Sequence, residues 1–60
     1  MKPEYKIVTY SYYLQRVYYA YKYDDAKILY DDFVVERSYA ELWQGNRLLF
    51  QYDAESQLLA

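Results

Sequence analysis

The chain has no cysteine and no histidine, and among its 60 residues glycine and proline occur once each. Without cysteine there are no disulfides and no thiolate metal ligands, and without histidine the commonest imidazole ligand and general base are missing too. Ser11, Ser38 and Ser56 therefore lack the usual activating partner of a serine nucleophile. Gly45, the single glycine, cannot build a glycine-rich phosphate cradle. The aspartate pairs Asp24-Asp25 and Asp31-Asp32 lack the alternating oxygen spacing and central glycine of a calcium loop. Nothing in the sequence desolvates those carboxylates, as acid-base catalysis would require. The expectation is a protein without enzyme activity, metal or cofactor.

Two other absences concern location. No apolar run reaches the roughly 20 residues of a membrane helix, and "MKPEYK" lacks the apolar stretch of a secretory signal. A cytoplasmic protein without a membrane role is expected. The formal charge of -2 argues against a nucleic-acid partner, because phosphate binding draws on Lys and Arg. Scarce glycine and proline leave little room for linkers, so residues 1–60 read as one small domain, with 54–60 as a tail prone to fray. The tail's Leu58 and Leu59 could dock on the domain or present a short peptide.

What the chain has in abundance is tyrosine, eleven in all, seven of them within residues 9–23. Two periods compete in that stretch. As a helix, Tyr10, Leu14, Val17 and Tyr21 share a face. As a strand pair, residues 5–13 and 16–23 are dense in the β-branched and aromatic types that suit a pleated surface. The strand pair is the preferred reading, and an N-terminal helix over 9–23 is the alternative. With the chain reversing at Leu14-Gln15, Tyr10, Tyr12, Val17, Tyr19 and Tyr21 gather on one side, the four tyrosines as core candidates, and Ile7, Tyr13 and Tyr18 fall on the other.

Downstream, Asp24 or Asp25 suits a helix N-cap. Ala26, Leu29, Tyr30, Phe33 and Val34 recur at spacings of three and four, which predicts a helix over about 25–36. Asp25, Asp32 and Glu36 form an acidic stripe on its opposite side. Gly45-Asn46 predicts a two-residue type II′ turn between "SYAELW" and "RLLFQY". An unbroken register from that turn puts Tyr39, Trp43, Leu48, Phe50 and Tyr52 on one side, and Ala40, Leu42 and Leu49 on the other.

The elements add up to a β-β-α-β-β α+β domain, a four-stranded sheet with one helix on one face. One helix covers only one face, so the other is left apolar, and such a patch on a small protein marks an interface. The residues expected there are Ile7, Tyr13, Tyr18, Leu42 and Leu49. The functional expectation is a non-catalytic interaction module, an inhibitor or adaptor, that binds another protein or a second copy of itself through tyrosine rings. Tyrosine offers large contact area at low entropic cost, a composition shared by natural modules and designed binders. Two alternatives come from other classes. The acidic stripe, with Asp24 and Asp31 beside it, could imitate a nucleic-acid backbone and block a host defence nuclease. The rings could instead stack single-stranded bases, with Arg16, Lys22 and Arg47 meeting phosphate.

Overall fold

A computed structural model describes residues 2–54. Among them the order is β1 (Tyr5–Ser11), β2 (Leu14–Ala20), α1 (Tyr23–Glu36), β3 (Tyr39–Gln44) and β4 (Arg47–Asp53). The strands form one antiparallel sheet in the order β2-β1-β3-β4, with α1 packed on one face. The architecture is the expected one, and residues 9–20 form strands and a turn, so the alternative helix over 9–23 is not present. The tail expectation falls outside the described residues beyond Ala54, whose own N–H donates to the Ser38 carbonyl at 2.9 Å. Because β1 is antiparallel to both β2 and β3, those two strands run in the same direction. Parallel strands need a crossover of about a dozen residues or more, and the 14-residue α1 supplies it.

The first hairpin turns at Tyr12-Tyr13, two residues before the expected reversal, with Ser11 opposite Leu14 and Val8 opposite Val17. Both turn residues lie in the left-handed region, at φ 53° and 69°. That is the type I′ geometry whose backbone twist matches a hairpin, and which Asn-Gly normally fills. Tyrosine carries a Cβ into that region, at a cost of about 1–3 kcal/mol per residue.

The second hairpin turns at Gly45-Asn46, with Gln44 opposite Arg47. Gly45 has φ 58° while Asn46 is not in the left-handed region, the pattern of a type II′ turn. A bulge then shifts the register, so Leu42 faces Phe50 and Ala40 faces Tyr52. The extra residue corrects the unbroken register: Phe50 and Tyr52 join Leu42 and Ala40 on one side.

The helix begins at Tyr23, earlier than the acidic pair suggested. Lys22 is the N-cap and makes no side-chain cap bond, and Asp24 and Asp25 occupy the first turn, where they oppose the positive end of the helix dipole. The Arg37 N–H closes the other end on the Phe33 carbonyl at 2.8 Å. The expected stripe faces the sheet, with Ala26, Tyr30 and Phe33 buried and Leu29 and Val34 packed against the core.

Under the helix, Ile7, Thr9, Ala40 and Leu42 have no exposed surface. Ala20 and Ala40 on the sheet and Ala26 on the helix are small enough to let the two layers approach, and aromatic rings close the flanks. Tyr5 meets Tyr23 at 5.9 Å, Tyr18 meets Phe33 at 5.2 Å and Tyr30 meets Phe50 at 5.7 Å. The buried Thr9 hydroxyl donates to the Tyr39 carbonyl at 2.7 Å, which removes the cost of an unpaired polar group.

Candidate functional site: the uncovered sheet face

Strand alternation and register place a second set of side chains on the face that α1 leaves bare. One row across the sheet runs Tyr19, Lys6, Trp43 and Leu48; the next runs Val17, Val8, Glu41 and Gln51. Tyr10 beside Gln15, and Tyr39 beside Asp53, continue the surface toward the Tyr12-Tyr13 end. Val8 is buried on this face, although no helix of the described residues packs over it.

Several of these rings are held in place. Trp43 Nε1 donates to Glu41 Oε1 at 2.6 Å, and the Tyr39 hydroxyl donates to Glu41 Oε2. Gln51 Nε2 donates to the Tyr39 hydroxyl at 2.9 Å. The Tyr10 ring meets Tyr39 edge-on at 5.2 Å, and the Lys6 ammonium lies 5.3 Å from the Trp43 ring centre. The hydrogen bond to the Glu41 carboxylate, helped by burial, raises the Tyr39 phenol above its ordinary pKa. Glu41 thus ties two aromatic rings at the middle of β3, while Tyr10, Val17, Tyr19 and Leu48 stay exposed around them. At one end Tyr10, Tyr12, Tyr13, Ser38, Tyr39 and Asp53 line an open groove. Tyr12 and Tyr13, 94% and 102% exposed, form its lip.

The residues expected on the bare face from sequence are not the ones that form it. Ile7 and Leu42 lie wholly beneath α1. Tyr18 is on the helix side against Phe33, Leu49 sits at the bulge and packs on the core, and Tyr13 is at the turn. The core candidates Tyr10, Tyr12, Tyr19 and Tyr21 are all exposed. For the residues that lie in β1 and β2, the first hairpin's grouping into two faces holds, because moving the turn by two residues preserves side-chain parity. What inverted is which group the helix covers. Thr9, Ala20 and Ala40 on one face carried that signal, since a helix seats on small residues more closely than on Tyr10, Tyr19, Tyr39 and Trp43.

Asp25, Asp32 and Glu36 are exposed along α1, as are Asp24 and Asp31. Lys27 engages Asp31 at 2.7 Å, four residues on, so the acidic surface is partly neutralised. Arg16 and Arg47 lie on β2 and β4, the two opposite edges of the sheet, and Lys22 caps the helix, so the three cations are not gathered along one track. Among the described residues no group of three or more acidic, histidine or cysteine side chains is placed to hold a metal, and no helix is long and apolar enough to cross a membrane. No protein-family model, curated protein or solved structure matches the chain.

Proposed function

We propose that this protein is a small non-catalytic interaction module whose contact surface is the sheet face that α1 leaves bare, and that it works as an inhibitor or adaptor by occupying a partner protein. The observation that carries the reading is the ring cluster on that face. Tyr39 and Trp43 are fixed through Glu41, and Tyr10 packs edge-on against Tyr39, so little ordering entropy remains to be lost on binding. Exposed apolar side chains of Val17, Tyr19 and Leu48 surround the cluster and supply area. The face carries both Lys6 and the carboxylates of Glu41 and Asp53, a mixed charge pattern that suits a protein surface better than a phosphate chain.

The test uses immobilised protein in native cell extract. Tyr10→Ser combined with Tyr19→Ser should remove the captured partner, and reversing Asp25, Asp32 and Glu36 to lysine should leave it bound. The opposite pattern would move the contact to α1 and overturn the proposal.

A further inference from the structure

The two edges of the sheet differ in how they are protected. Edge strands that stay single usually carry a bulge, a proline or charged residues at intervals. The β4 edge has a bulge, with Arg47 and Asp53 at its ends. The β2 edge has neither bulge nor proline along Leu14–Ala20, and Arg16 is its one charged side chain. Six of its seven residues are exposed, and α1 packs mainly over β1 and β3, leaving the approach to this edge open.

We infer that β2 pairs antiparallel with β2 of a second copy, joining two sheets into one of eight strands. The hydrogen-bonding parity follows from the turn. A two-residue turn makes Ser11 and Leu14 a hydrogen-bonded pair, so Leu14, Arg16, Tyr18 and Ala20 direct their backbone groups at β1. The N–H and C=O groups of Gln15, Val17 and Tyr19 point off the edge. A two-fold axis beside Val17 brings these three onto their counterparts, Val17 to Val17 and Gln15 to Tyr19, closing about six backbone hydrogen bonds.

The same axis decides in favour of a second copy over an unrelated strand, because every side chain then meets a compatible one. Val17 meets Val17 and Gln15 meets Tyr19 on the bare face. On the helix side Leu14 meets Ala20, and the Arg16 guanidinium lies opposite the Tyr18 ring, a favourable cation-ring pairing with no like charges directly opposed. The inference concerns the strand edge and stands apart from the proposal for the sheet face. Pairing would set two bare faces side by side.

Val17→Pro is the decisive variant. The register turns the Val17 N–H away from β1, so proline there breaks no bond to β1 and is tolerated at an edge, yet it removes both bonds across the axis. Sedimentation of the wild-type protein over a dilution series should show the mass rising from 7.4 kDa toward twice that value with concentration. Val17→Pro should weaken association by about tenfold or more. Val17→Lys, which sets like charges face to face, should do the same with the backbone untouched. Amide exchange reads the register: Gln15, Val17 and Tyr19 should gain protection with concentration, whereas Leu14, Arg16, Tyr18 and Ala20 should be protected at every concentration. A protein that stays monomeric at millimolar concentration would overturn the inference. So would a dimer that survives both Val17 variants, or one lost instead through Tyr10→Ser. Exchange protection of the three edge amides that appears only with a foreign protein would assign the edge to that protein and overturn it too.

Discussion

Tyr12 and Tyr13 sit where the backbone asks for Asn and Gly, in two consecutive left-handed conformations with their rings almost wholly in water. Neither ring returns burial energy to the fold, so the strain is uncompensated at the turn itself. Replacing them with Asn and Gly should raise the unfolding free energy by about 1–3 kcal/mol, measured by denaturant titration. A stabilised variant that has lost partner capture would show that the pair serves the groove it borders rather than the hairpin. Tyr39 offers a second test at the same scale. Its bond to the Glu41 carboxylate and its burial raise its pKa in the folded state, and desolvation raises Tyr5 and Tyr30 in the same direction. The folded protein therefore holds these protons more tightly than the unfolded chain. Their contribution is complete below the ordinary tyrosine value near pH 10 and disappears as pH climbs through the raised folded values. Stability should be flat through neutrality and fall above about pH 10, with a shallower fall for Tyr39→Phe.

At the scale of elements, α1 shows how far an apolar stripe can be read in advance. Ala26, Leu29, Tyr30, Phe33 and Val34 face the sheet as their spacing dictates, whereas Val35 is 84% exposed. Phe33→Ala should cost about 3–5 kcal/mol, enough to unfold much of a domain this small, and Val35→Ala should change stability by less than about 0.5 kcal/mol; thermal melts of the two variants check the contrast. The strands were legible as elements for the same reason, and Gly45-Asn46 was legible as a turn because only glycine enters that conformation freely. Three features were hidden. The Tyr12-Tyr13 turn carries none of the residues that normally announce type I′ geometry. The bulge in β4 leaves no mark in "RLLFQY", and one inserted residue moves Phe50 and Tyr52 across the sheet. The helix start at Tyr23 was masked because Asp24 and Asp25 suit a cap and a first turn equally well. The candidate site suffered most, since both sheet faces are apolar and hydrophobic pattern cannot choose between them. Residue size can: Thr9, Ala20 and Ala40 mark the side where a second layer comes close.

For the molecule as a whole, the one helix and four strands among the described residues put the core between α1 and one face of the sheet, and a fold this small has little stability to spare. That raises a sharp question about the bare face: its rings either shield the sheet and hold the fold together, or they are surplus to folding. The two roles differ in what truncation costs. A ring that shields buried backbone contributes through the area it removes from water, so a half-buried tyrosine in that role should cost about 2 kcal/mol or more when cut back. Tyr19 stands at a sheet edge and is 62% exposed, with most of its surface already in water. Tyr19→Ser should therefore shift the unfolding free energy by less than about 1 kcal/mol, while Ile7→Ala beneath the helix should lose about 2–5 kcal/mol. Measured side by side in urea, this contrast would leave the tyrosines of the bare face explained by binding rather than by folding. A Tyr19→Ser loss as large as that of Ile7→Ala would instead make the face a structural shield, and the interaction module would lose its principal physical support.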